Sequence, residues 1–215
     1  MEKICCIVGA MPSGDLLYAA KSSDLVIAAD GGLRYLEEQD IQPDYVVGDF
    51  DSLGRVPAGK NIIRHPVEKD DTDMLLAVRT GLAEGCQKFL LFGGLGGRLD
   101  HTYANLQVLG FLAERGAQGW LLGDGTVITA VHNGTLEFPA ECSGTISVFC
   151  AGADASGVTL RGLYYPLEDA VLKSSVPLGV SNQFTGVSAS VSVSSGTLLV
   201  MWQQPAEEII RQLLH

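Results

Sequence analysis

Three short apolar segments in the first half of the chain each lead, within two residues, to aspartate or glycine. These segments and the residues that follow them are Asp24–Ala29 before Asp30, Tyr45–Val47 before Asp49, and Lys88–Phe92 before a run of glycines. Apolar, β-favouring runs of this length indicate buried strands. Because helical periodicity separates them, the pattern predicts an α/β domain with a mostly parallel sheet.

The hydrophobic pattern of the sequence changes after Asn133-Gly134. Helical periodicity stops there, and short alternating runs separated by glycine and serine follow, as in an all-β sandwich or barrel. We therefore expect two domains. Residues 1–132 are predicted to form a Rossmann-like, three-layer α/β domain, and residues 133–215 an all-β sandwich with a short terminal helix over Pro205–Leu214.

The composition excludes several classes of partner. The chain has 215 residues, with 14 Lys and Arg against 25 Asp and Glu, which gives a formal charge of −11. This balance argues against binding to nucleic acid or to anionic membrane surfaces. No apolar run approaches the 18 residues that a membrane-spanning helix needs. Five cysteines without a C-x-x-C spacing indicate reduced, buried thiols, so we expect a cytoplasmic protein.

An acidic pair, Asp49 and Asp51, follows the third predicted strand. Side chains two residues apart in an extended segment point the same way, so both carboxylates are expected to face one spot. Two like charges held this close repel each other unless a cation lies between them. Hard oxygen ligands favour Mg²⁺. The structural alternative is an ordinary aspartate-rich turn.

A second acidic cluster, at residues 68–73, leads into the apolar run that begins at Met74. Asp71 or Thr72 would cap a helix here, and acids in a first turn complement the helix dipole. Capping accounts for one or two of these acids. Asp70 and Asp73, with Lys69 beside them, are therefore additional candidates for a binding site.

The glycines after the fifth predicted strand belong to the sequence G-G-L-G-G-R-L-D-H at residues 93–101. Glycines between a strand and a helix expose backbone N–H groups to an anion, and Arg98 adds a planar donor suited to phosphate. The structural alternatives are a glycine loop without a ligand, a structural role for His101, and a helix N-cap for Asp30. Carboxylates for Mg²⁺ beside donors for phosphate are the components of phosphoryl-type transfer.

Five motifs occur in an order that resembles the thiamine pyrophosphokinase family. They are D-G-G at 30–32, G-D-F-D-S at 48–52, K-D-D-T-D at 69–73, G-G-L-G-G-R-L-D-H at 93–101 and G-V-S-N-Q-F at 179–184. Each motif alone is weak, and the last reads by itself as a β-turn. The resemblance implies transfer of pyrophosphate from ATP to the hydroxyl of thiamine, which gives thiamine diphosphate and AMP. It also implies an α/β catalytic domain, a β-sandwich domain, and a homodimer with thiamine at the subunit interface.

The resemblance assigns roles to particular residues. It implies that Mg²⁺ and the catalytic centre are held by three aspartates, Asp49, Asp51 and Asp73. Either Asp73 or Asp49 would orient or deprotonate the thiamine hydroxyl. The residues expected to border ATP are Asp30, Gly31, Lys69, Thr72, Arg98, Asp100 and His101, and those expected to contact thiamine are Ser181 and Asn182.

One position departs from the family pattern. Animal members carry a tryptophan that stacks on thiamine directly after a Leu-Leu pair, whereas here Val200 follows Leu198-Leu199 and Trp202 comes two residues later. Trp202 is thus either a substitute or a plain sheet residue. Three other functions stay open at this point: pyrophosphorylation of another heterocyclic alcohol, a haloacid-dehalogenase-like phosphatase, and a non-catalytic sensor. Production of AMP separates pyrophosphokinases from the last two.

Overall fold

The computed structural model describes residues 2–11, 14, 16–48, 62–64 and 71–214. In the first half of the chain its elements are β1 (Lys3–Val8), α1 (Leu17–Lys21), β2 (Leu25–Ala29), α2 (Gly32–Glu37), β3 (Tyr45–Gly48), β4 (Ile62–Arg64), α3 (Asp73–Ala83), β5 (Cys86–Phe92), α4 (Leu99–Ala113), β6 (Gln118–Gly123) and β7 (Thr126–His132). The second half contains β8 (Thr135–Phe138), β9 (Thr145–Cys150), β10 (Ala155–Arg161), β11 (Leu167–Leu172), β12 (Gly179–Gln183), β13 (Ala189–Ser192), β14 (Thr197–Gln203) and α5 (Ala206–Leu214).

One large sheet runs through both halves of the chain. Its ten strands lie in the order β12-β9-β14-β7-β6-β5-β1-β2-β3-β4. Neighbours among β1–β6 pair in parallel, whereas β6-β7, β7-β14, β14-β9 and β9-β12 pair antiparallel. The predicted parallel sheet thus covers β1–β6, and the whole sheet is mixed.

A tight turn causes the change of direction between β6 and β7. Asp124 and Gly125 have φ values of 50° and 70°, as in the two-residue hairpin turns that match strand twist. The hairpin reverses the chain, and the later strands that join this sheet, β14, β9 and β12, also pair antiparallel. The predicted order, helices and strands first and a β-rich part second, is confirmed.

Helices and a second sheet cover the two faces of the large sheet. On one face Leu33 and Leu36 of α2 share a hydrophobic cluster with Val8 of β1, and on the other Val78 of α3 and Leu109 of α4 share a second cluster. The remaining antiparallel strands form a four-stranded sheet, β11-β10-β13-β8, whose buried apolar residues belong to the first cluster. The parallel strands are therefore buried on both faces, which explains their continuous apolar runs.

The terminal helix α5 closes the first cluster, since Ile209 and Ile210 are buried in it. Trp202 lies in the same cluster at 6% exposure, with its ring edge-on to Phe138 at 5.2 Å. Its indole Nε1 donates to Gln204 at 2.8 Å. Trp202 is therefore a core residue. None of the helices in the described ranges is long and apolar enough to cross a bilayer.

The motif at 179–184 forms an edge strand instead of a turn. β12 pairs with β9, and the register shifts between Gly179 and Asn182. Ser181 lies in this shift with a φ of 58°, a left-handed conformation that interrupts regular pairing. A bulged strand of glycine, serine and asparagine lacks the alternating apolar pattern by which strands are predicted.

Candidate active site

A cleft of about 190 Å³ opens at the carboxyl ends of the parallel strands, between β1 and β5. The chain order reverses at this point, because β2 lies on one side of β1 and β5 on the other. Such switch points are where open α/β sheets bind ligands. The cleft is lined by Gly9, Ala10, Met11, Ala29, Asp30, Thr72, Asp73, Met74, Gly93, Gly94, Gly96, Arg98, His101 and Asn105.

The turns after β1 and β5 are joined backbone to backbone. Gly9 N donates to Phe92 O at 2.8 Å, and Met11 N donates to Gly93 O at 3.1 Å. Gly93 has a left-handed φ of 65°, and a Cβ added there would lie 2.5 Å from Gly9 O. Only glycine meets both conditions, so this residue sets the spacing of the two turns.

Asp30 lines the cleft directly after β2. Its N–H donates to Val47 O at 2.8 Å, its φ is 46°, and its Oδ1 atom is buried. The N-cap of α2 is Gly31, without a side-chain hydrogen bond, so capping does not explain Asp30. A Cβ on Gly32 would collide with Val8 O, which explains why a glycine follows at this helix start.

Thr72 and Asp73 reach the cleft from the start of α3. Thr72 is the N-cap, and its Oγ1 accepts from Leu75 N at 3.3 Å. Asp73 occupies the first helical turn, where the dipole stabilises a carboxylate. Asp71, two residues earlier, does not line the cleft and instead pairs with Arg79 at 2.9 Å.

Arg98 borders the cleft together with His101, whereas Asp100 does not line it. The Arg98 guanidinium donates from Nε to Asp100 Oδ1 at 3.2 Å and from Nη2 to Oδ2 at 2.6 Å. This pairing lowers the pKa of Asp100 and raises that of Arg98. Both side chains are exposed, so the pair adds little to stability, and an anion can compete with Asp100 for the guanidinium.

Three of the predicted site residues, Asp49, Asp51 and Lys69, lie outside the described residues. Gly31 is described but does not line the cleft. Within the described ranges, no three His, Cys, Asp or Glu side chains come together as metal ligands. β3 ends at Gly48, where an added Cβ would lie 3.1 Å from Asp30 Cα. The strand that leads to the predicted pair therefore ends beside Asp30.

Sequence reasoning missed Met11, Met74 and Asn105. Asn105 is 6% exposed, and its Nδ2 donates to Gly94 O at 2.8 Å. A signal was available, because Asn105 lies four residues before the buried Leu109 and thus occupies the apolar face of α4. The methionines carry no such signal, since Met74 is an ordinary core residue and Met11 is half-buried in the turn after β1.

The predicted thiamine contacts lie far from this cleft within one chain. Ser181 and Asn182 are on β12, five strand-to-strand steps from β5, or about 24 Å at the usual strand spacing. Asn182 is 3% exposed, and its amide accepts from Tyr165 N at 2.9 Å and donates to Tyr165 O at 2.7 Å. Ser181 is exposed, and its backbone N donates to Ser147 Oγ at 3.0 Å.

The adjacent thiols in β1 are unsuited to nucleophilic catalysis. Cys5 and Cys6 are fully buried. Burial raises the pKa of Cys6 to about 12, and a hydrogen bond with Cys86 together with burial raises the pKa of Cys5. Because the thiolate is the reactive form, both thiols are inert near neutral pH.

Two family models match this chain, one over each half. "Thiamin pyrophosphokinase, catalytic domain" covers residues 16–118, and "Thiamin pyrophosphokinase, vitamin B1 binding domain" covers residues 134–198. The chain belongs to the thiamin pyrophosphokinase family. The first match contains the cleft residues from Ala29 to Asn105, and the second contains β12 with Ser181 and Asn182.

Named members of the thiamin pyrophosphokinase family are similar over most of the chain. The Bacillus subtilis thiamine pyrophosphokinase is 27% identical over 194 residues, which cover 87% of this chain and 91% of that protein. A crystal structure of the Bacillus subtilis enzyme superposes with a TM-score of 0.81 at 26% identity, covering 94% of this chain and 99% of that one. The Candida albicans enzyme shares the fold at 17% identity, with a TM-score of 0.76 and coverage of 94% and 90%.

Proposed function

We infer that this protein is a thiamine pyrophosphokinase, which transfers pyrophosphate from ATP to the hydroxyl of thiamine and releases thiamine diphosphate and AMP. The observation that carries this conclusion is the cleft at the β1/β5 switch point, where Asp30, Asp73, Arg98 and His101 meet a glycine loop. Carboxylates and phosphate donors in one cleft suit an in-line displacement that depends on positioning and charge neutralisation. The two family matches supply the identity of the acceptor.

The acidic side of the site is proposed to hold Mg²⁺. Asp49, Asp51 and Asp73 are the expected ligands, with Asp30 beside them. The donor set fits the ion, because carboxylate oxygens are what Mg²⁺ prefers and Asp73 and Asp30 line one cleft. When bound, the ion would neutralise charge on the phosphates of ATP. Asp73, or alternatively Asp49, would orient or deprotonate the thiamine hydroxyl.

The basic side of the site is proposed to bind the phosphates. The loop at residues 93–97 supplies backbone N–H groups, and Arg98 supplies its planar guanidinium. His101 lines the cleft and Lys69 is expected to reach it, whereas Asp100 acts from outside through its pairing with Arg98. Thr72 and Gly31 complete the proposed ATP site.

Thiamine is proposed to lie between two copies of the chain. The roughly 24 Å between the cleft and β12 is too far for one thiamine molecule to contact both. In a homodimer, one thiamine molecule could contact the cleft of one copy and β12 of the other, if β12 of the second copy faces the cleft. Four large apolar side chains near Ser181 and Asn182 are more than half exposed: Tyr164, Tyr165, Leu178 and Val180. The two tyrosines are hydrogen-bonded through their backbone to β12, and Leu178 and Val180 lie within three residues of Ser181 in the sequence. Exposed apolar side chains in such number favour an interface.

The two halves of the chain are thus proposed to bind different substrates. Residues 1–132 form the Rossmann-like part that binds ATP and Mg²⁺, and residues 133–215 bind thiamine and dimerise, with the short helix at the end. We place the activity in the cytoplasm, since all five cysteines are free thiols, which persist in a reducing compartment.

The test is AMP release from ATP and Mg²⁺, measured with and without thiamine. Asp73→Asn and Asp51→Asn are expected to lose thiamine-dependent AMP. Asp71→Asn is the matched control, because Asp71 lies two residues from Asp73 but pairs with Arg79 outside the cleft. Free phosphate without AMP would indicate a phosphatase. AMP with a different heterocyclic alcohol, but not with thiamine, would indicate another pyrophosphokinase.

A further inference from the structure

The glycine loop at residues 93–97 has three of its carbonyl groups held by donors from neighbouring elements. Gly93 O accepts from Met11 N at 3.1 Å, in the turn after β1. Gly94 O accepts from Asn105 Nδ2 at 2.8 Å, and Gly96 O accepts from Thr102 Oγ1 at 3.2 Å. Asn105 and Thr102 lie three residues apart on α4, so one face of this helix holds two of the three carbonyls.

These hydrogen bonds fix the orientation of the loop peptides. In a planar trans peptide the C=O and the next N–H point in opposite directions, so a held Gly94 carbonyl also fixes the N–H of Leu95. The N–H groups of residues 94–97 donate to no acceptor within the described ranges. Engaged carbonyls beside unused N–H groups are the arrangement that binds anions.

Asn105 is the stronger of the two helix contacts. Its side chain is buried, it lines the cleft, and it reaches the loop at the shorter distance. Thr102 Oγ1 also lies 3.4 Å from Arg98 O, the bond that threonine commonly makes within a helix. Without Asn105 Nδ2, the negative end of the Gly94 carbonyl would border the cleft without a donor to offset it.

We propose that Asn105 is a positioning residue for the triphosphate, which acts by holding the Gly94 peptide so that the loop presents donors, and not a carbonyl, to the phosphates. Thr102 supports the same orientation at Gly96. This inference rests on the proposed function only in taking ATP as the ligand. It assigns Asn105 to the phosphates and to neither the base nor the ribose.

The experiment compares the two halves of ATP as ligands for the full-length protein. Dissociation constants for ATP, inorganic triphosphate and adenosine are measured with Mg²⁺ and without thiamine, by calorimetry or by ligand-observed NMR. Asn105→Leu keeps the side-chain size but removes the donor. We expect about a tenfold weaker binding of ATP and of triphosphate, and a change of less than about twofold for adenosine.

Thr102 provides a second, milder test that does not depend on how Asn105→Leu folds. Thr102→Val is expected to weaken triphosphate binding about threefold, whereas Thr102→Ser, which keeps the hydroxyl, binds as the wild type does. Thr80→Val is the matched control, because Thr80 Oγ1 donates to Leu76 O inside α3 and does not contact the loop. Thermal melting of each variant reports any general loss of stability.

Equal weakening of all three ligands by Asn105→Leu would overturn the proposal, since a general loosening of the cleft affects adenosine as well. Unchanged triphosphate binding in both Asn105→Leu and Thr102→Val would also overturn it. Neither result bears on the proposed reaction, which stands or falls on thiamine-dependent AMP release by the wild-type protein.

Discussion

Alanine substitutions at two glycines of the loop at residues 93–97 test how closely the turns after β1 and β5 approach each other. Gly93 and Gly96 both have left-handed φ values, 65° and 83°. A Cβ on Gly93 would lie 2.5 Å from Gly9 O and 2.8 Å from Met11 O, whereas a Cβ on Gly96 meets no atom within 4 Å. Alanine at the two positions therefore shares the backbone penalty and differs in the collision.

The expected magnitudes follow from these two contributions. A left-handed alanine costs about 1–2 kcal/mol, offset by about 0.4–1 kcal/mol from the stiffer unfolded chain, so Gly96→Ala loses about 1 kcal/mol of unfolding free energy. Gly93→Ala adds an overpacking cost of about 1–3 kcal/mol, for a total near 3 kcal/mol. For a chain of this size, the melting temperature falls by about 3 °C in Gly96→Ala and by about 9 °C in Gly93→Ala.

Calorimetry or circular dichroism on both variants and the wild type provides the measurement. Since relief of the collision moves the turns apart, Gly93→Ala is also expected to bind ATP more weakly than Gly96→Ala does. If Gly96→Ala proves as destabilised as Gly93→Ala, the two turns are not in close contact and the description of the cleft is wrong.

Two further predictions concern residues outside the cleft. Asp154 accepts from Lys173 Nζ at 2.8 Å and from the backbone N of Ser174 at 2.9 Å, which lowers its pKa from 3.8 to about 2. A carboxylate whose pKa is lowered in the folded state stabilises the fold at pH values above its ordinary pKa. Asp154→Asn should therefore lower the melting temperature at pH 6, and this deficit should shrink as the pH falls from 4 to 2. A deficit independent of pH would refute the assignment. Trp202→Ala should cost about 3–5 kcal/mol of unfolding free energy, because the ring is buried against Phe138. The KM for thiamine should change less than about twofold. A selective rise in that KM would instead show that Trp202 contacts thiamine.

The local structure of this chain could be predicted because its signals are local. β2 (Leu25–Ala29), β3 (Tyr45–Gly48) and β5 (Cys86–Phe92) begin and end within two residues of the three apolar segments that predict them, since turn residues bound those segments. Thr72 caps α3 as one of the two predicted candidates. The same reasoning brought Asp30 and Arg98 to one edge of the sheet, because both follow the carboxyl end of a parallel strand.

Features that depend on long-range pairing were not predictable in this way. The alternation in β14 does not reveal that Leu198 pairs with Val131 of β7 and thereby extends the first sheet. Strand β12 was not predicted, because the left-handed Ser181 interrupts the alternation of apolar and polar residues by which strands are recognised. The spacing of Asn105 from Leu109 places it on the apolar face of α4, but its contact with Gly94 depends on how the loop packs against the helix, which the sequence pattern does not show.

The measurement that tests the central claim most directly is a product balance. ATP, Mg²⁺ and thiamine are incubated with the wild-type protein, and nucleotides and thiamine phosphates are quantified by mass spectrometry or ³¹P NMR. The proposed reaction predicts AMP and thiamine diphosphate in equal amounts, without ADP or thiamine monophosphate, because the pyrophosphoryl group moves as a unit. ADP with thiamine monophosphate, or phosphate with unchanged thiamine, would contradict it.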